Sequence, residues 1–313
     1  MIWLVGSGPM SVDYAKILEA QNRDYLVIGR GKASAEEFTN KTSKEVVLGG
    51  LEAFLKTTTE RPEAAIVSVG VAQLYSTTLK LIENGVKRIL VEKPGGTTLA
   101  ELNTLQQQSI EYGCDVFIAY NRRFFASVIA LREKLKAEGG VTSFNFELTE
   151  WAHVIEKLDK PKDVLSKWFL ANSTHVADLA FYLGGQPKEM ASFVTGGLNW
   201  HPTSSIFSGA GVSESGALFN YTANWESAGR WWVEVLTKEN RYILKPMESL
   251  LVQKRGTIPQ FSVEIDDSLD KEFKPGLYKQ LVMFLNGEVA NLCTLEEQCQ
   301  MYSFYKKMAN YTE

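Results

Sequence analysis

The chain has 313 residues, 45% of them apolar and 22% charged, the balance of a folded globular protein rather than a disordered or collagenous one. At that length two domains are expected, because single cores stop growing at about 250–300 residues. The formal net charge of -4 supplies no basic field for a nucleic-acid backbone, and no apolar run is long enough to span a bilayer.

The first residues, Met1 to Gly6, are apolar but have no basic region ahead of them and end in glycines, so no secretory leader is expected. The three cysteines, Cys114, Cys293 and Cys299, are odd in number and lack metal-ligand spacing. They are predicted to be free thiols in a reducing cytoplasm, and no metal site is expected.

The first ~120 residues alternate short apolar strands with amphipathic helices, the rhythm of a parallel sheet covered on both faces. Strands are predicted at 2–5, 25–28, 46–48, 64–69, 88–91 and 116–119. Tyr14, Ile17 and Leu18 line one helical face between the first two strands. Leu74, Thr78, Leu81 and Ile82 line another, which ends at Asn84-Gly85. Leu99, Leu102 and Leu105 line a third. Six strands with intervening helices are what the two mononucleotide-binding halves of a Rossmann domain require.

The rhythm changes after Asn121. A helix with Phe124, Val128, Leu131 and Leu135 on one stripe closes at Gly139-Gly140, and period-two alternation follows. It runs through Phe144, Phe146 and Leu148, then Ala217, Phe219, Tyr221, Ala223 and Trp225, then Trp231, Val233 and Val235. Long alternating strands predict a large, mostly antiparallel, open-faced sheet in an α+β domain. Two helices close the chain, around 278–285 and 295–308. The expected division is 1–121 for a cofactor domain and 122–313 for a substrate domain. The side of the sheet carrying Phe219 and Tyr221 is more apolar than a solvated face, which predicts face-to-face packing of subunits in a homodimer or homotetramer.

Gly6-Ser7-Gly8-Pro9-Met10-Ser11 follows the first strand and opens the first helix. Gly6 allows the tight turn, and Gly8 lets the backbone approach a pyrophosphate held by free N–H groups at the helix start. Ser11 replaces the third glycine of that fingerprint and is small enough for helix–strand packing. These residues, Gly6 to Met10, are the predicted dinucleotide loop. At the end of the second strand, where NAD enzymes place an acid against the ribose 2′-hydroxyl, the chain reads Ile28-Gly29-Arg30-Gly31-Lys32. Arg30 offers a fork to a 2′-phosphate and a plane to adenine, so NADP(H) is favoured over NAD(H).

Val91-Glu92-Lys93-Pro94-Gly95-Gly96 ends the fifth strand, at the edge where ligands of open α/β sheets bind. Lys93 can polarise a reacting oxygen there, although a lysine after a strand is ordinarily a surface charge. Glu92-Lys93-Pro94 downstream of Gly6-x-Gly8 resembles the glucose-fructose oxidoreductase / inositol dehydrogenase / rhizopine-catabolism (Gfo/Idh/MocA) family. The junction Tyr120-Asn121-Arg122-Arg123-Phe124, the helix from His175-Val176-Ala177-Asp178 to Gly184-Gly185, and the later strands agree with it. The resemblance covers essentially the whole chain. It implies a pyridine-nucleotide enzyme acting on sugars, sugar nucleotides, cyclitols or similar small molecules, assembled as a dimer or tetramer.

Carried over, the resemblance makes Lys93 the group on the reacting oxygen and His175 the general acid/base, with Glu92, Lys93 and Asn121 also at the cofactor. Imidazole titrates near neutrality, as a proton relay coupled to hydride transfer needs. Asn172-Ser173-Thr174 are predicted to cap the helix at His175, which places it better than His153 or His201. Asp178 either orients the imidazole or serves the helix terminus. Many family members have an Asp four residues before this His and a Gly two before it; here stand Ala171 and Ser173. Asn172 is then expected to hold substrate, together with Tyr120, Arg122 and Trp168. Trp151, Trp168 and Tyr120 are the candidate sugar platforms. The Arg122-Arg123 pair offers charge to an anionic group, one of the two being a helix-surface residue.

The predicted function is an NADP(H)-dependent oxidoreductase of a sugar-like substrate. The alternatives are an imine or ketone reductase on a non-sugar substrate, a glycosidase using transient oxidation, and a non-catalytic NADP(H) sensor.

Overall fold

The computed structural model describes residues 1–312. The chain divides into two compact units, Met1–Tyr120 with Glu272–Gln300, and Asn121–Lys271 with the C-terminal segment from Met301. The division near residue 121 coincides with the change of period in the sequence. The return of 272–300 to the first unit leaves no mark in that pattern.

The first unit is built on six parallel strands: β1 (Ile2–Val5), β2 (Tyr25–Ile28), β3 (Val46–Val47), β4 (Ala64–Val67), β5 (Arg88–Val91) and β6 (Asp115–Ile118). Their order is β6-β5-β4-β1-β2-β3, the doubly wound arrangement, with the short strand Cys293–Thr294 added antiparallel beside β6. All four residues of β1 and of β4 are buried, as strands covered on both faces must be. β3 and β4 stop one and two residues earlier than predicted. Helix Leu99–Tyr112 starts at a capping box: Thr98 accepts from the Glu101 N–H at 3.1 Å, and Glu101 accepts from the Thr98 N–H at 3.2 Å. Helix Leu277–Asn286 belongs to this unit because it buries Leu277, Leu281 and Phe284 here. Phe284 meets the Phe117 ring edge-on at 6.2 Å, and Arg88 donates to the Phe284 carbonyl near the helix end.

The second unit holds β7 (Ser143–Glu147), β8 (Pro187–Thr195), β9 (Ile206–Ser213), β10 (Leu218–Asn224), β11 (Trp232–Leu236), β12 (Asn240–Leu244), β13 (Leu251–Lys254) and β14 (Phe261–Ser262). They form one sheet in the order β14-β13-β12-β11-β7-β10-β9-β8. Only β7 and β10 pair in parallel, so the antiparallel, alternating expectation holds. Helix Thr174–Gly184 covers one face. Its Phe181 ring meets Phe146 at 5.5 Å and Phe219 at 5.1 Å, and any Cβ at Gly184 would enter the Phe144 ring. This corrects the expected subunit interface. The face with Phe219 and Tyr221 is 3% and 1% exposed because this helix of the same chain already covers it.

The stripe predicted to start a helix at Phe124 begins two residues later. Asn121–Phe124 is a single 3-10 turn, and the helix Ala126–Ala137 opens where the Ala126 N–H donates to Asp270 at 2.7 Å.

Candidate functional site

The cofactor side is made mostly of backbone. Gly6 has φ +125°, and a Cβ there would lie 2.6 Å from the Ser68 carbonyl oxygen beyond β4, so no other residue fits. Gly8 has nothing within 4 Å of its Cβ position, which leaves the approach to the N-terminus of helix Pro9–Ala20 open. Pro9 stands in the first turn, where its missing N–H costs nothing. Ser11, at the third glycine position, is buried with its hydroxyl 2.8 Å from that of Ser68, which ties this helix to the end of β4. Ser7 meets Ser34 at 3.1 Å. Met10 lies in the same first turn.

A cavity of about 260 Å³ opens between these strand ends, lined by Gly6, Arg30, Gly50, Gln73 and Lys80 among others. Arg30 is exposed and stands over Gly50. Lys80 and Glu52, both unflagged by sequence reasoning, pair at 2.6 Å on the cavity wall. Lys80 holds the Glu52 carboxyl below its ordinary range through hydrogen bond and charge. An open helix start, a glycine whose side chain would fill the cradle, and a cation at the end of β2 fit a dinucleotide.

At the end of β5, Glu92 accepts from the Tyr14 hydroxyl at 2.8 Å. Burial pushes the Glu92 carboxyl up and the Tyr14 phenol well up. Glu92 therefore braces the loop against the first helix. Lys93 follows it, half-buried, at a cis peptide to Pro94. Pro94 is fixed in turn by Gln298, whose amide donates to its carbonyl at 3.0 Å. Tyr120, at the end of this unit, is 1% exposed and contributes to the core rather than an open sugar platform.

In the second unit, Asn121 lies buried in the 3-10 turn, 3.5 Å from the Arg122 guanidinium. Of the Arg122-Arg123 pair, Arg123 is not a helix-surface charge. It is 3% exposed and grips Asp178 through two bonds, at 2.5 and 2.9 Å, because a charge at that buried position requires a partner. Both Asp178 oxygens serve Arg123, a partner that neither expectation for Asp178 named. His175 sits in the first turn of helix Thr174–Gly184, 7% exposed, with its ring 6.3 Å from Trp231.

Asn172, Ser173 and Thr174 do not cap that helix as expected. Phe169–Ser173 is a π-helical turn running straight into it, so Ser173 is already helical. Such turns recur at functional sites because they displace side chains from the regular helical positions. This one is held at both ends. Asn172 and Ser173 each donate to Glu150 at 2.8 Å, and the Phe169 N–H donates to the Tyr311 hydroxyl at 3.2 Å. Glu150 is 2% exposed and lies beyond the end of β7. It is the carboxylate that sequence reasoning missed: its only signal is an acidic residue closing an apolar alternating strand. Trp168 stacks edge-on with Trp200 at 6.4 Å, and its indole N–H has no hydrogen-bond partner. Trp151 is exposed and donates to the Gly229 carbonyl at 3.0 Å.

Residues 2–120 match the model of the oxidoreductase family with NAD-binding Rossmann fold, GFO_IDH_MocA. No curated protein sequence matches. Solved structures share the fold along nearly all of the chain at low identity. One is UDP-N-acetylglucosamine 3-dehydrogenase GnnA from Acidithiobacillus ferrooxidans, with TM-score 0.76, 14% identity and coverage of 98% of this chain and 95% of that one. Levoglucosan dehydrogenase in complex with NADH gives TM-score 0.80, 14% identity and coverage of 99% and 95%. The WlbA dehydrogenase from Chromobacterium violaceum, in complex with NADH and UDP-GlcNAcA, gives 0.72, 14%, 98% and 92%. Among the described residues, no helix is long and apolar enough to cross a membrane. Residues 2–120 therefore carry the NAD-binding Rossmann domain of the Gfo/Idh/MocA oxidoreductase family.

Proposed function

We propose that this protein transfers a hydride between NADP(H) and a hydroxyl or carbonyl carbon of a sugar, sugar nucleotide or related small molecule. The observation that carries the reading is an NAD-binding domain whose second strand leads into Arg30, two residues beyond its end, at the cavity that Gly6 lines. An acid there would repel a 2′-phosphate; a guanidinium binds it. The names of the solved relatives support a sugar-like substrate, and the NADH bound to levoglucosan dehydrogenase supports a nicotinamide cofactor without bearing on the 2′-phosphate.

When bound, the nicotinamide supplies or accepts the hydride. The N–H groups at the start of helix Pro9–Ala20 hold the pyrophosphate, and Arg30 holds the 2′-phosphate. Lys93 steadies negative charge on the reacting oxygen, and His175 moves its proton. Asn172, fixed by Glu150, holds a substrate hydroxyl. Trp168 offers its unpartnered N–H and indole face to the sugar. Asn121 and Glu92 support the cofactor side. The cytoplasm suits three free thiols. A second copy of the chain packs on the outward face of the sheet, which shows Phe193 and Leu218, 71% and 64% exposed.

Steady-state rates and cofactor titrations test the reading. NADP(H) should bind several-fold tighter than NAD(H), and Arg30→Ala should erase most of the difference. His175→Ala should lower kcat by ~10²–10⁴-fold with NADP(H) affinity little changed, and Lys93→Met should cost at least as much. Equal affinity for both cofactors sinks the preference, and unchanged turnover in both variants sinks the site. Light scattering at micromolar concentration that shows a 35.0 kDa particle rules out the second copy.

A further inference from the structure

We infer that a cavity walled by Trp151, Trp225 and Glu226 is a subsite for a second, non-reacting sugar ring, which makes the substrate a neutral glycoside or oligosaccharide. The inference rests on the oxidoreductase reading above and narrows its substrate class.

The cavity, of about 640 Å³, opens in the second unit between the short helix Ala152–Ile155 and the turn that follows β10. Its floor is Trp225, 1% exposed, whose indole N–H donates to the Leu148 carbonyl at 3.2 Å. The Trp225 ring lies nearly parallel to that of Trp200, with 5.9 Å between centres. Leu198 is held at the side by paired backbone bonds with His201, both 3.0 Å. Trp151 supplies a wall and is 44% exposed, yet it is fixed in place. Its indole N–H donates to the Gly229 carbonyl at 3.0 Å, and the Arg230 guanidinium lies over the ring at 4.8 Å. Gly229 is itself fixed, since a Cβ there would overlap the Glu147 carboxylate and the Thr149 side chain. An indole held in one orientation while half in water has already met its ordering cost. It suits the flat C–H face of a pyranose.

The polar groups around this platform are unspent. Glu226 accepts from the Ser205 hydroxyl at 2.5 Å through Oε2, and its Oε1 has no partner among the described residues. The side chains of His153, Glu156 and Ser227 likewise make no hydrogen bond or ion pair among those residues. Water serves these acceptors and donors, and sugar hydroxyls can replace it. Charge decides the ligand class. The walls hold two carboxylates and, among the described residues, no lysine or arginine. A phosphate or carboxylate is therefore repelled, whereas a hydroxyl can donate to either acid. Position decides the relation to the reaction. Arg230 touches both Trp151 and Trp231, at 4.8 and 4.9 Å, and the Trp231 ring lies 6.3 Å from that of His175. A ring seated on Trp151 is thus a neighbour of the ring that meets His175, and a glycosidic link joins the two.

Titration calorimetry of the protein saturated with NADP+ tests this with four probes: glucose, maltose, cellobiose and UDP-glucose. At least one disaccharide should bind about tenfold or more tighter than glucose, and UDP-glucose should gain no such advantage. The double substitution His153→Ala with Glu156→Ala should reduce the disaccharide advantage to within about threefold. Both side chains are exposed and unpartnered, so melting temperature and NADP+ affinity should stay unchanged. Trp151→Ala should remove the advantage as well, and the double variant separates that loss from any loosening of the Gly229 loop. Neither disaccharide exceeding glucose, UDP-glucose exceeding both, or a full advantage in the double variant overturns the subsite. Turnover of glucose without preference for a disaccharide sinks the subsite and leaves the oxidoreductase standing. Selective disaccharide binding with no reduction of NADP+ by any probe does the reverse.

Discussion

The dinucleotide loop and the His175 region are both held by buried contacts, but the contacts differ in kind. At Gly6 the constraint comes from backbone: a positive φ and the Ser68 carbonyl at the end of β4. Around His175 it comes from side chains. Glu150, Asn172, Ser173, Arg230 and Trp231 meet there from three segments of the second unit, and polar groups on one segment satisfy those on another. A site made of backbone tolerates almost no change at its glycines and much elsewhere. A site made of side chains depends on each hydrogen-bond partner in turn.

The largest expected effect separates two glycines in one loop. Gly6→Ala places a Cβ against backbone that cannot move and forces a left-handed φ, which should cost about 2–6 kcal/mol of stability and abolish cofactor binding. Gly8→Ala meets no neighbour, so it should leave melting within about 0.5 kcal/mol of wild type while weakening NADP(H) binding. Thermal melts and nicotinamide titrations on the pair check this; equal melting of the two variants would break the contrast.

A middle-sized effect belongs to Glu150. Glu150→Ala leaves the Asn172 amide and Ser173 hydroxyl without their acceptor and should cost about 1–3 kcal/mol. Glu150→Gln keeps one acceptor oxygen and should recover part of the loss. If Glu150 sets the π-helical turn for Asn172, kcat should fall in both variants by more than the melting shift explains. Turnover that follows stability alone would reduce Glu150 to packing.

The smallest effect is a pH dependence. His201, fully buried, meets the Ser204 carbonyl and the Tyr311 hydroxyl, both at 2.7 Å. The carbonyl can only accept, so Nδ1 carries the proton and Nε2 is left to accept from Tyr311, the residue that holds Phe169 at the π-helical turn. Burial pulls the His201 pKa below its ordinary value. Folding therefore favours the neutral ring: this stabilisation is complete above about pH 6.5 and is lost as pH falls through the lowered value. Melting temperature should decline on mild acidification, and His201→Gln should flatten the decline. An equal slope in the variant removes His201 as its source.

Part of this was legible in the sequence because it is local. Gly6-x-Gly8 after a four-residue apolar strand, and Arg30 at the end of the second, lie within short stretches whose conformation follows from their own residues. The same holds for the period of two that announced the second sheet. The Arg123–Asp178 pair was not legible, since two residues separated by 55 positions have no local signature.

The sequence by itself determined the parallel sheet and its strand order class, the cofactor loop, the lack of an acid at the ribose position, and the alternating strands of the second unit. These follow from backbone preference and the burial of one face. Only the tertiary structure decided that the segment 272–300 returns to the first unit, that helix Thr174–Gly184 covers the apolar face of the sheet, and that Glu150 holds Asn172 and Ser173. Each of these depends on groups far apart in the chain finding the one partner that removes the cost of burying them.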